Sequence, residues 1–373
     1  MRRWAKRWPW ILVLSGFLTP TFAQNLNAVG YVGWWVAEGW KSVRQVAFDR
    51  LFVFELPIGE AGDIPERHGW PERWGELIEH AQSKKIPVDL TITLMDPQRF
   101  QRVFGSPQAI ERLSAELVAL ASDARVAGIQ LDVELYEGVP APALLAYRQF
   151  VRTLADQLKT LNPRRQLGIF LPFQSKNLLY DAESLRSVDY SVIQGYDSHW
   201  LDSKRAGPVA PLDGPYALTW KKAIALADRL EIPRSKQYLG YPLYGYEWRV
   251  RDGRSTHSLT MGKGITVTFA RPLSVGSLDQ TPPSEAVVVE RVARYGASYD
   301  AVSASSSYRF RGTDGYWREG WFDDWWGMHA KAAFVLDNQL PGLAFFLLGY
   351  DGGTLVDYYH RHAPAGRTTS SQQ

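Results

Sequence analysis

The chain has 373 residues, enough for one large domain or two of ordinary size, and its net charge of +3 is spread without a sustained Lys/Arg block beyond the first residues. That distribution removes the electrostatic case for nucleic-acid binding. The absence of cysteine excludes disulfides, thiolate metal sites and a lipid anchor on a cysteine. With 15 Trp, 18 Tyr and 16 Phe there are rings enough to fill a large core and to line a sugar groove, because sugar C–H faces pack on rings as other apolar surfaces do.

In chain order, residues 1–23 read first as a secretory signal. Arg2, Arg3, Lys6 and Arg7 precede a short apolar core over 8–18, and Thr21-Phe22-Ala23 supplies small residues for cleavage. The apolar core falls short of the roughly 20 residues a membrane span needs, so export is expected rather than anchoring. Short apolar runs then alternate with amphipathic stretches. Strands are expected at 28–35, 50–55, 87–94, 126–134, 166–172, 189–196, 237–244 and 342–349, mostly as near-continuous apolar runs that suit parallel strands covered on both faces.

Between them lie helical spacings. Ile110, Leu113, Leu117 and Leu120 share one face behind a Ser106-Pro107 start. Leu144, Leu145, Phe150, Leu154, Leu158 and Leu161 make a second face, and Trp220, Ile224, Leu226 and Leu230 a third. Strands alternating with helices in this way predict an α/β protein with a (β/α)8 TIM barrel. A doubly wound sheet is the alternative, but no Gly-rich phosphate loop follows the first strand. The last repeat is interrupted. A small α+β insertion subdomain is expected over 250–317, between the seventh and eighth barrel strands, with strands at 265–269 and 286–289. The barrel then comprises 24–249 and 318–362, with a helix at 325–336 and a disordered tail over 363–373.

Chemistry concentrates on the fourth strand. Gln130, Asp132 and Glu134 fall at every second residue and share a face, with Ile129, Leu131 and Val133 on the other. Burying carboxylates on a strand is costly unless they are paired or used. A barrel of this kind places its active site at the C-terminal strand ends. Those ends carry Tyr31 and Trp34, Glu55, Asp132 with Glu134, Gln194 with Tyr196 and Asp197, Tyr241 with Tyr244, and Phe346. The set is acidic, hydroxylic and aromatic and suits a neutral or cationic polyhydroxylated ligand. It contains no His cluster and no Lys, so no metal and no cofactor is expected.

Four motifs then line up in order. Ala127-Gly128-Ile129-Gln130-Leu131-Asp132-Val133-Glu134 resembles the fourth-strand Asp-Gly-x-Asp-x-Asp-x-Glu of glycoside hydrolase family 18, the chitinase family. Gln194-Gly195-Tyr196-Asp197 resembles its Met-x-Tyr-Asp, and Gly240-Tyr241-Pro242-Leu243-Tyr244-Gly245 its Gly-x-Pro-x-Tyr-Gly. Trp321-Phe322-Asp323-Asp324, with Lys331, is similar to the closing segment, and the insertion falls where many members carry an α+β domain.

The resemblance implies an exported enzyme, expected to be a monomer, acting on polysaccharides or oligosaccharides that contain N-acetylglucosamine, by substrate-assisted retaining hydrolysis. In that scheme Glu134 is the acid and then the base, Asp132 holds the acetamido N–H, and Tyr196 donates to the acetamido oxygen. Repulsion between Asp132 and Glu134 is expected to keep Glu134 protonated near neutral pH. The chain departs from the pattern at Ala127 and Gln130, where the family has Asp, at Gln194 for Met, and at Phe346 for a Trp that commonly floors the cleaved sugar's subsite. Gln130 is expected to hydrogen-bond Asp132. A non-catalytic, lectin-like barrel is the alternative. A third possibility is a two-carboxylate glycosidase, with Glu55 or Asp197 as nucleophile.

Overall fold

The computed structural model describes residues 26–173, 177–271 and 287–362. The signal expected at 1–23 and the tail expected at 363–373 lie outside the described residues. Eight parallel strands close into a barrel: β1 (Asn27–Gly33), β2 (Arg50–Pro57), β3 (Val88–Leu94), β4 (Gly128–Val133), β5 (Gln166–Leu171), β6 (Tyr190–Ile193), β7 (Gln237–Pro242) and, after an insertion, β13 (Gly342–Phe346), which pairs with both β7 and β1. Every residue of β3 and of β4 is buried. Helices cover the outer faces of these strands and side chains fill the interior, which is why the sequence shows so little alternation.

The covering helices are α1 (Gly75–Lys84), α2 (Pro97–Phe104), α3 (Pro107–Ser122), α4 (Ala141–Leu161), α5 (Ala182–Ser187), α6 (Trp220–Arg229), and, later in the chain, α8 (Trp325–Asp337) and α9 (Thr354–His362). Ser106 caps α3 as its sequence predicts, accepting from the Ala109 N–H, with Pro107 at the first helical position. In α4, Phe150, Leu154 and Leu158 are buried as expected, but Leu145 and Leu161 are exposed. A helix stripe narrower than the run of leucines suffices against a strand layer. Helix α9 has no counterpart in the sequence reading. Its start is set by buried Asp351, whose carboxylate accepts from the backbone N–H groups of Gly353, Leu355 and Val356.

The floor of the barrel, at the N-terminal strand ends, is polar. Asp89 is fully buried and is satisfied there by Arg50 and by the Tyr190 hydroxyl at 2.6 Å. The insertion is a second sheet of five antiparallel-paired strands: β8 (Tyr244–Val250), β9 (Ile265–Thr268), β10 (Ser298–Asp300), β11 (Ser305–Arg311) and β12 (Trp317–Phe322), in the order β10-β11-β12-β8-β9. The strand expected at 286–289 is a helix start instead. Val287 makes one bridge to Thr268, and α7 (Val288–Tyr295) follows. Its Arg291 reaches Glu247 on β8 at 3.0 Å and its Tyr295 ring stacks on Phe310 of β11 at 4.2 Å. A four-residue apolar run does not carry a period of its own, and packing decides its state. Among the described residues, no helix is long and apolar enough to cross a membrane.

Candidate active site

On β4 the period-two register holds. Gly128, Gln130 and Asp132 face the barrel interior, and Glu134 continues the face just beyond the strand end. Gln130 is fully buried, and its amide is spent within the barrel: Oε1 accepts from Thr91 at 3.0 Å and Nε2 donates to the Tyr31 hydroxyl at 2.9 Å. The expected hydrogen bond from Gln130 to Asp132 is therefore not made. Asp132 Oδ1 is buried with no hydrogen-bond partner among the described residues, an unusual state for a carboxylate oxygen.

Glu134 is half-buried, and burial pushes its carboxyl up to about 7. Asp197 and Glu55 add to the rise, while a hydrogen bond donated by Tyr136 opposes it. Asp132 is likewise held well above the ordinary carboxylate range, by its own burial first, then by Glu134 and Glu55.

The remaining strand ends converge on this face from several directions. Tyr196, after β6, is buried, and no side chain among the described residues engages its hydroxyl. Burial holds that phenol well above its usual value, so it stays a donor. Its ring fits because Gly240 on β7 has no Cβ, which would lie 2.7 Å from the ring. Asp197, at φ 62°, turns back and accepts from both Tyr244 at 2.7 Å and Tyr246 at 2.9 Å. Phe346 lies at the centre of an aromatic floor, edge-on to Tyr31, Phe54 and Tyr244 and stacked with Tyr196. Glu55 reaches the same face because β2 shifts register against β3 between Val53 and Leu56, and Thr93 donates to it at 2.7 Å. Gln194 is buried and accepts the Phe173 N–H at 2.9 Å, fixing the connection after β5.

One expected ligand contact, Tyr241, is turned away from the site. Tyr241 points out of the barrel, packed on Trp220 of α6 and Phe345, beneath the Lys331 ammonium that pairs with Asp323. It shares its β7 face with Gln237 and Leu239, whereas the inward face is Tyr238, Gly240 and Pro242. Trp34 sits on the turn after β1 with one face covered by the His68 ring, 4.2 Å away and parallel to it. It is the neighbouring Trp35 that packs on Phe54 and donates to the Tyr350 hydroxyl at 2.8 Å. Sequence reasoning also missed Tyr136, Tyr246 and Phe54. Only Tyr246 left a signal, the alternation Tyr244, Tyr246, Trp248. Among the described residues no group of three His, Cys, Asp or Glu side chains is placed to hold a metal ion.

The arrangement offers a proton donor near neutrality, an unpaired buried acceptor, an uncommitted hydroxyl and an aromatic platform. Sequence comparison finds relatives in Bacillus subtilis. A candidate sporulation-specific glycosylase, YdhD, is 26% identical over 311 residues, covering 80% of this chain and 65% of that protein. A cortical fragment-lytic enzyme is 24% identical over 287 residues, covering 72% and 58% respectively. The chain thus spans less than two thirds of the length of these curated relatives. Among solved structures, a glycoside hydrolase family 18 N-acetylglucosaminidase from Paenibacillus barengoltzii shares the fold with a TM-score of 0.72 at 15% identity, covering 90% of this chain and 99% of that one. The family model for glycosyl hydrolases family 18 matches residues 78–351. That match runs from within α1 to the turn beyond β13 and takes in the ends of the barrel strands from β3 onward, Asp132, Glu134 and Tyr196 among them, so the chain belongs to glycosyl hydrolases family 18.

Proposed function

We propose that the protein is an exported glycoside hydrolase that cleaves β-linked N-acetylglucosamine glycans with retention, using the substrate's own acetamido group. The observation that carries this reading is a matched pair on one face, the unpaired buried Oδ1 of Asp132 and the uncommitted hydroxyl of Tyr196. One lacks a donor and the other an acceptor, and an acetamido group supplies both, through its N–H and its carbonyl.

Glu134 gives its proton to the glycosidic oxygen as the bond to the anomeric carbon breaks, and the acetamido oxygen bonds to that carbon. The positive charge of the resulting oxazolinium lies against Asp132, in a site where water screens little. Water then adds to the anomeric carbon, the ring opens back to the acetamide, and Glu134 takes the water's proton. Phe346, packed among Tyr31, Phe54, Tyr196 and Tyr244, is a floor for the sugar ring. Export is read from the basic start, apolar core and small residues of 1–23.

Incubating the protein with N-acetylglucosamine oligomers, their deacetylated counterparts and peptidoglycan tests this reading. Cleavage confined to acetylated sugars is the expected result. Equal cleavage of the deacetylated sugars defeats substrate assistance, and binding without cleavage leaves a lectin.

Position 130 gives a separate test. Gln130→Asp places a second buried carboxylate on the face of Asp132. The pair then titrates as a unit, and Asp132 loses its proton only at higher pH. The acid limb of the kcat profile is expected to move upward, as read from rates measured between pH 3 and 8. An unmoved limb would mean the two positions do not communicate.

A further inference from the structure

We infer that Tyr136, anchored by Asn177, is a positioning residue for the acid, holding one carboxyl oxygen of Glu134 so that the proton to be donated sits on the other. This rests on the reading of Glu134 as the acid. The Tyr136 hydroxyl donates to Glu134 Oε2 from two residues further along the chain, after β4 has ended. Tyr136 is 48% exposed, so packing alone does not hold it. The backbone on either side is held instead. Asn177, from the connection after β5, accepts from the Val139 N–H at 3.0 Å and donates to the Leu135 carbonyl at 3.3 Å and the Glu137 carbonyl at 2.7 Å. Arg148 of α4 in turn donates to the Leu178 and Leu179 carbonyls next to Asn177. A single amide thus brackets Tyr136 on both sides and is itself tied to a barrel helix.

A neutral carboxyl has one proton and two oxygens. An O–H directed at Oε2 makes that oxygen the acceptor, which leaves the proton on Oε1. As the proton passes to the glycosidic oxygen, Glu134 becomes anionic and the Tyr136 bond becomes charge-assisted, so it strengthens along the reaction. The groups facing Glu134 are Asp132 on its own strand, Glu55 from β2, Asp197 from the segment after β6, and the hydroxyls of Tyr31 and Tyr196. Burial and the acids raise the Glu134 pKa, and the Tyr136 hydrogen bond is the contact that lowers it. Tyr136 itself is held well above the ordinary phenol value by burial and by Glu134, so it remains a donor throughout the working range.

The test uses the full chain with Tyr136→Phe and Asn177→Ala. Rates are followed against pH on N-acetylglucosamine oligomers and on a 4-nitrophenyl glycoside, and the Glu134 carboxyl is titrated by carbon-13 NMR. Tyr136→Phe is expected to lower kcat on the oligomers by roughly tenfold. The basic limb is expected to move up by about one pH unit. The loss should shrink on the nitrophenyl glycoside, whose leaving group needs little protonation. Asn177→Ala should move each quantity the same way by a smaller amount. An unmoved limb, or equal losses on both substrates, overturns the inference, since a merely structural tyrosine would produce either. If the wild-type protein cleaves neither substrate, the hydrolase reading fails on its own. The NMR titration then still decides the role of Tyr136: a higher Glu134 pKa in Tyr136→Phe upholds it and an unchanged one overturns it.

Discussion

Glu134→Gln is expected to lower kcat on N-acetylglucosamine oligomers by roughly 10²- to 10⁴-fold while KM changes little. The amide keeps the shape and the hydrogen bond from Tyr136 but has no proton to give. In the wild-type protein the same group sets the upper edge of the pH profile. A carboxyl lifted by burial to about 7 is protonated, and so active as an acid, below that pH, and activity falls as pH rises through it.

Stability carries the matching signature. The folded carboxyl titrates at about 7 against an ordinary 4.5, so the folded protein holds this proton more tightly than the unfolded chain does. Between those values the folded state loses stability as pH rises, by about 3 kcal/mol in all. Glu134→Gln escapes that loss. Urea unfolding should show it more stable than wild type at pH 8 and equal to it at pH 4. A variant that is inactive and also less stable at pH 8 would mean that Glu134 is a structural carboxylate.

Asp132→Asn is expected to cost roughly 10²- to 10³-fold in kcat. Asn keeps an oxygen to accept the acetamido N–H but brings no negative charge to the oxazolinium, so substrate binding should survive while the chemical step slows. Here too the charge opposes folding. Asp132 is 4% exposed, its Oδ1 has no partner among the described residues, and burial with two acidic neighbours raises its pKa. Removing the charge should raise Tm at pH 8, measured by calorimetry, in the same protein whose turnover has collapsed. Opposed changes in rate and stability mark a group kept for chemistry. A fall in both would place Asp132 among the framework residues.

Much of this site was legible because β4 is unusual for a barrel strand. Polar side chains at 130, 132 and 134 interrupt an apolar run at period two, and the interruption announces both the strand and its inward face. Strand β7 has no such mark. It is buried on both sides and apolar or aromatic on both, so nothing in Gly240-Tyr241-Pro242 tells which ring faces inward. Tyr241 stands at the strand end expected to meet ligand, yet it lies outside with Trp220 and Lys331.

Local periodicity is enough to mark eight barrel strands in order and to set Asp132 and Glu134 on one face, but not to bound the insertion, whose sheet runs from Tyr244 to Phe322 rather than over 250–317. Tertiary structure alone decided which groups surround that pair. Gln130 is claimed by Thr91 and Tyr31, from two other strands, and so leaves Asp132 unpaired. Asp197 is held by Tyr244 and Tyr246 of the second sheet. Tyr136 is aimed at Glu134 by a backbone fixed from Asn177, far along the chain. Periodicity fixes where a side chain points. Its pKa and its free valences depend on neighbours that only chain closure brings within reach.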